Sequence, residues 1–271
     1  MVGLSHVCSY SEAEELTWLG DSYDHQLMHL GFEWRACPFC ASTMRSVTDD
    51  AERYVLANCE TCGFWRVVNT SGLGSYHNGR ELTSHRGVAK LYRVDEIGIP
   101  LADLKRFLRQ NPTHLAHVNP YAFEDLMLDC LRVAFPECEL VKIGGRRDRG
   151  IDLVLVQTTG ERYLVQVKRR SNIEKNETVD VVRQLNGVIF RDNEAGGLVV
   201  TTAKGYTPAA QQETQVLSAS GVWQSIDLYG FPDIVKWLDL QDAVPYQPWQ
   251  DFVAGAELTK PIFYPPGTQP F

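Results

Sequence analysis

The triplet Gly150-Ile151-Asp152, followed by Gln166-Val167-Lys168, constrains the fold of this chain more than any other stretch. The residues between them read as a β-hairpin. Ile151, Leu153 and Leu155, then Tyr163, Val165 and Val167, are apolar or aromatic at every second position, which is the period of a pleated strand. Thr158-Thr159-Gly160 supplies the turn, with Gly able to take the left-handed conformation. If Gln157 faces Glu161 across that turn, antiparallel pairing sets Asp152 opposite Gln166, with Cβ atoms about 5 Å apart. Lys168 shares the face of Gln166. One end of one sheet face then collects a carboxylate, an amide oxygen and an ammonium. Those groups suit a divalent cation, a phosphate and an attacking water.

An edge hairpin with a solvated polar face would show the same alternation. Two features favour an interior position. The strands are apolar on both faces, with Val154 and Val156 between the inward positions and Leu164 beside Val165, as in a sheet covered on both sides. Polar side chains converging there need partners, because an unpaired buried carboxylate or amide is costly. The surroundings are also basic. Residues 139–175 hold nine Lys or Arg against five Asp or Glu, a net +4 in a chain of formal charge −8. A local positive field on an acidic protein points to an anionic ligand.

At this point the chain resembles a family. The runs Phe123-Glu124-Asp125-Leu126, Gly145 through Val154, and Val165-Gln166-Val167-Lys168-Arg169 are similar to the Mrr-type restriction endonuclease domain, a branch of the PD-(D/E)XK nuclease superfamily. The likeness continues in Gln184-Leu185-Asn186-Gly187, Gly197 through Thr202, Tyr206 through Ala210, and Ile226-Asp227-Leu228. It spans roughly residues 115 to 242. Gln166 stands where the superfamily usually has an acid, and Asp148-Arg149-Gly150 where Asp-Gly-Gly is more usual. The resemblance implies an α/β fold, with a restriction-endonuclease-like mixed central sheet flanked by helices. It implies a DNA endonuclease of restriction or anti-phage defence type.

The resemblance also assigns roles. Asp152 and the Gln166 side-chain oxygen would bind Mg²⁺ or Mn²⁺, with the Val167 carbonyl as a third ligand. Lys168 would orient the attacking water and offset charge on the phosphate. Glu124 lies on a predicted helix, Pro120 to Ala134, with Asn119 as its N-cap. It is read either as a further metal ligand or as an acid that complements the helix dipole. Arg146, Arg147, Arg149, Arg169, Arg170 and Lys204 are the candidate DNA contacts. Asp148 is read as a loop residue, and Lys204 equally as part of a plain strand-to-helix connection. The rival function is a catalytically silent or partner-activated nucleic-acid-binding adaptor of a defence or repair complex. Cutting both strands needs two active sites, which raises a homodimer as an expectation.

A second feature is Cys37-Pro38-Phe39-Cys40 with Cys59-Glu60-Thr61-Cys62. Two CxxC pairs at this separation are a four-thiolate zinc pattern. Four thiolates close a tetrahedral Zn²⁺ site with no open position, so the metal is structural. Gly63 suits the turn after the second pair, and the intervening residues supply strands, which gives a zinc ribbon. The aromatics Phe32, Trp34, Phe39, Phe64 and Trp65 read as small-domain packing, with base stacking as the alternative. Cys8, Cys130 and Cys138 suggest a reducing compartment, and Cys130 falls on the apolar face of the Glu124 helix. His25 and His29 share a helix face without a further ligand in view.

The expected organisation is a helical segment at 1–31, with a helix over Ser11 to Leu30, then the ribbon at 32–70. A linker with a short helix follows at 71–112, then the nuclease domain at 113–242 and a Pro/aromatic-rich tail at 243–271 that packs on the body or on a partner. The first residues lack a charged and apolar leader pattern, and no apolar run approaches membrane-spanning length. A cytoplasmic protein with no membrane contact is the expectation.

Overall fold

The computed structural model describes residues 5–20, 36–69, 80–143, 150–217, 221, 223–240 and 247–261. The chain divides into two compact units, one of residues 1–5 and 93–243, the other of residues 6–92 and 244–271. The strands are β1 (His6–Gly20), β2 (Arg45–Thr48), β3 (Tyr54–Asn58), β4 (Trp65–Asn69), β5 (Arg80–Arg93), β6 (Glu139–Lys142), β7 (Leu153–Val156), β8 (Arg162–Lys168), β9 (Gly196–Thr201), β10 (Gln215–Leu217), β11 (Trp223–Tyr229) and β12 (Lys260–Pro261). Among the described residues no helix is long and apolar enough to cross a membrane.

The hairpin unit holds a mixed sheet in the order β10-β11-β9-β8-β7-β6. The pairs β6–β7 and β7–β8 are antiparallel, whereas β8–β9 and β9–β11 are parallel. Helices connect the parallel strands, as such crossovers require. Val154, Leu164 and Val199 pack with Val181, Val182, Leu185 and Ile189 of the helix Val179–Asp192. The alternating residues Leu153, Val165, Leu198 and Val200 are also buried, so both faces are covered. The helix Pro120–Ala134 buries Phe123, Leu126, Met127, Cys130 and Leu131, and packs on β6 and on the helix Phe231–Asp239. The side chain of Asn119 accepts from Tyr121 N, and Pro120 opens the helix. The turn forms as expected, with Gly160 at φ +87° and Gln157 N–H donating to Glu161 O at 2.9 Å.

The cysteine unit holds a sheet in the order β1-β5-β4-β3-β2-β12. Here two expectations are corrected. Residues 11–20 form part of β1, not a helix. The Ser-Glu-Ala-Glu-Glu-Leu run favours a helix locally, but cross-strand pairing wins. Glu12 meets Lys90 at 2.8 Å, Glu15 meets His85 at 3.1 Å, and Glu14 bonds Arg86. The segment expected as a linker carries β5, where the polar composition hides the strand. Gly87 is required there, because a Cβ would come within 2.8 Å of Tyr10 Cβ and 2.9 Å of Trp65 Nε1. The C-terminal tail packs on the body, one of the two outcomes expected: β12 pairs with β2, and Val253 joins the core with Trp249 and Phe252 beside it. His25, His29, Phe32 and Trp34 lie outside the described residues.

Candidate nuclease site and metal centre

Gly150 begins the site. Its φ of +82° suits glycine, and a Cβ there would stand 3.0 Å from Gln166 Nε2. Within the strands the hairpin register is the one the sequence predicts, with Leu153 opposite Val165 and Val156 opposite Arg162. At Asp152 the ladder departs from that pattern. Asp152 N–H donates to Val165 O at 3.0 Å, and Val167 N–H donates to the Asp152 carboxylate, at Oδ2, at 2.6 Å. The side chain takes the donor that a regular ladder would give to a backbone carbonyl. This turns the carboxylate toward Val167, the residue between Gln166 and Lys168.

Gln166 is 3% exposed, and its Oε1 is buried with no hydrogen-bond partner among the described residues. Lys168 is half-buried and lies in register with Thr201 of β9. Glu124 is also at this end of the sheet. Its Oε2 lies 3.5 Å from Lys142 Nζ, which also bonds Asp125 Oδ1 at 2.6 Å. Lys142 pairs with Leu153, and Ile143 N–H donates to Asp152 O at 2.9 Å. Burial lowers the basicity of Lys142, but the hydrogen bond and charge of Asp125, together with Glu124, outweigh it and raise its pKa.

The candidate DNA contacts are distributed differently. Arg146, Arg147 and Arg149, with Asp148, lie outside the described residues. Arg169 donates through Nη1 to Ala116 O. Arg170 grips Glu177 through Nε at 2.7 Å and Nη2 at 2.6 Å. Lys204 is exposed, 3.5 Å from Glu174. Two of the arginines therefore serve packing within the protein. Sequence reading missed Glu177, which is 4% exposed and accepts from Thr201 Oγ1 at 3.1 Å. No motif marks it, because its partners come from β9 and the end of β8.

The second centre is the cysteine cluster. Both knuckles share one backbone pattern. Cys37 N–H donates to Ser42 O and Ala41 N–H to Cys37 O; Cys59 N–H donates to Phe64 O and Gly63 N–H to Cys59 O. The corresponding residues Ala41 and Gly63 have φ of 59° and 83°. The four Sγ atoms lie within 4.8 Å of one another, and Cys37–Cys62 and Cys40–Cys59 are each 3.5 Å apart. A tetrahedral ion bound about 2.3 Å from each thiolate would separate them by about 3.8 Å, so the donor set fits a metal. Burial pushes the Cys37 thiol up, as it does that of Cys62, a cost that a bound cation would offset. Phe64 and Trp65 are core residues, and Trp65 Nε1 donates to Tyr10 O at 2.8 Å. Phe39 is 55% exposed.

A helix followed by three antiparallel strands, continued by parallel strands with helical crossovers, is an α/β fold of the restriction-endonuclease-like kind. Residues 115–238 match the model of the restriction endonuclease family, the Mrr catalytic domain. The chain is thereby a DNA endonuclease. Among solved structures it is similar to a repair endonuclease from Pyrococcus abyssi at 9% identity and a TM-score of 0.25, covering 80% of this chain and 98% of that one. It is also similar to EndoMS in its apo form, at 11% identity and a TM-score of 0.25, covering 74% and 94%. No curated protein matches the chain.

Proposed function

We propose that the chain is a Mg²⁺- or Mn²⁺-dependent DNA endonuclease of restriction and anti-phage defence type, hydrolysing the phosphodiester backbone with water. The observation that carries this reading is the buried Gln166 Oε1, which lacks a partner in the strand next to Asp152. An unsatisfied buried acceptor costs about 1–3 kcal/mol, and a cation held there would remove that cost. Asp152, Gln166 and the Val167 carbonyl are the oxygen donors that would hold it, and a hard cation needs few protein ligands. When bound, the ion would polarise the phosphate and lower the pKa of water at the site.

The chain's own residues do the rest. Val167 N–H, by donating to Asp152 Oδ2, fixes the direction of the carboxylate. Lys168 has no ion pair among the described residues, so its ammonium is left for the scissile phosphate and the attacking water. It offsets the charge that grows on the phosphate oxygens as the leaving oxygen departs. Glu124 supports the site through Lys142. For the four thiolates we infer structural Zn²⁺, since all-sulfur tetrahedral donors suit that ion. The exposed Lys204 and the basic 139–175 segment supply attraction for the DNA backbone. Cutting both strands calls for a second copy on the DNA. Cys8 and Cys138, which form no disulfide among the described residues, suit a reducing, cytoplasmic setting.

A plasmid nicking assay tests the reading. Purified protein is compared in Mg²⁺, in EDTA and as the Lys168→Ala variant, on unmodified and methylated DNA. Cleavage that needs Mg²⁺ and vanishes in the variant is expected. Cleavage that survives both EDTA and the substitution would overturn it.

A further inference from the structure

We propose that Glu177 is a positioning residue for Lys168, a role that rests on the phosphodiesterase reading of the Asp152–Gln166–Lys168 site. Glu177 is 4% exposed and lies outside every motif. A carboxylate at such depth needs full compensation. Arg170 supplies it with two parallel N–H donors at 2.7 and 2.6 Å, the bidentate geometry that makes such pairs strong and directional. Its remaining partner is Thr201 Oγ1 at 3.1 Å, and Thr201 is the residue of β9 in register with Lys168. The carboxylate therefore ties together the chain leaving β8 and the strand position beside Lys168.

The neighbouring backbone follows the same plan. Thr202 N–H donates to Lys168 O at 3.1 Å. Arg170 N–H donates to Thr202 Oγ1 at 2.7 Å, and that hydroxyl donates to Arg170 O at 3.0 Å. Glu177 N–H donates to Gly205 O at 2.8 Å, and Thr207 N–H donates to Glu177 O at 3.0 Å. Residues 168–177 and 201–207 are thus stitched together, with the Glu177 carboxylate bonding both Arg170 and Thr201. Lys168 sits at the head of this seam, where β8 ends. A flexible ammonium stem is useful in catalysis only if its root is fixed, because a displacement of about 1 Å can cost about a hundredfold in rate. Arg170 is raised in pKa, chiefly by its hydrogen bond to Glu177, against a smaller effect of burial. Arg170 therefore stays charged at neutral pH.

The test compares wild type, Glu177→Gln and Lys168→Ala in single-turnover plasmid cleavage with Mg²⁺, alongside DNA affinity in EDTA. Glu177→Gln is expected to lower the rate between about tenfold and a hundredfold while leaving DNA affinity unchanged. A second measurement needs no turnover. Lysines are labelled by reductive ¹³C-methylation, and the Lys168 signal is assigned by its loss in Lys168→Arg. That signal is expected to move in Glu177→Gln while those of Lys105 and Lys236 stay fixed. If both the rate and the Lys168 signal match wild type, Glu177 is a structural residue only and the proposal is overturned. If wild type does not cut, the phosphodiesterase reading fails, and the lysine signal alone still decides whether Glu177 positions Lys168. Should Glu177→Gln fail to fold, Thr201→Val removes the same link to β9 and is read in the same two measurements.

Discussion

The two sheets of this protein each have six strands, yet they are held by different means. The sheet that carries Gln166 is buried on both faces by Leu, Val and Ile side chains, so its stability comes from apolar area removed from water. The sheet that carries the cysteines has a smaller core of Tyr10, Met44, Leu56, Phe64 and Trp65 beside the thiol cluster, and β1 rests partly on exposed ion pairs with β5. Surface pairs of that kind contribute little. A small sheet with such an edge needs a staple, and the four thiolates supply its ligands. The lesson is a division of labour. The apolar sheet carries an unsatisfied amide oxygen at the proposed metal site, whereas the cysteine sheet depends on its thiol cluster for cohesion.

The difference can be broken experimentally. Metal removal by a strong chelator, or Cys59→Ser, should have the largest effect, because structural zinc binding is worth on the order of 10 kcal/mol. Near-ultraviolet circular dichroism of Trp65 and Trp249 is expected to collapse while hydrogen exchange of β7 and β8 stays slow. Equal loss in both sheets would erase the distinction. Next comes Asp152→Ala, expected to reduce single-turnover cleavage by at least about a hundredfold with metal content of the cysteine cluster unchanged; metal analysis of the same sample checks both halves. Gly150→Ala should be milder. The left-handed φ costs an alanine about 1–2 kcal/mol, and its Cβ presses on Gln166 Nε2, so denaturant unfolding should show that loss with reduced cleavage. The smallest effect is expected at Ala41, whose φ of 59° matches that of Gly63 in the other knuckle. Ala41→Gly should stabilise the cysteine unit by about 0.5 kcal/mol, read as a higher melting midpoint of that unit alone.

How much was legible in the sequence follows the same division. The apolar sheet was readable because β7 and β8 are dense in branched residues and bounded by turn chemistry at Thr158-Thr159-Gly160. Register followed from that turn, and Asn119-Pro120 marked the helix start. The departure at Asp152 was not readable, because a side chain replacing a ladder carbonyl leaves no trace in periodicity. Glu177 was hidden for a similar reason, since its partners Arg170 and Thr201 meet it only in three dimensions. In the cysteine unit the four-cysteine cluster was legible from spacing alone. Its strands were not: Glu12, Glu14 and Glu15 read as helix formers until Lys90, Arg86 and His85 stand across from them. Trp249, Phe252 and Val253 looked like a tail because the core they complete lies far back along the chain.

That last point bears on the order of events during synthesis. β12 pairs with β2 through Lys260–Thr48 and Pro261–Val47, and the unit they close takes residues from both sides of the endonuclease domain. A ribosome therefore finishes the entire endonuclease segment before the cysteine-bearing sheet receives its last strand. Contacts this distant in sequence form late and slowly. The nuclease half can mature while its companion is still incomplete, and a polypeptide interrupted just after residue 243 would carry the cutting machinery with its clasp left open.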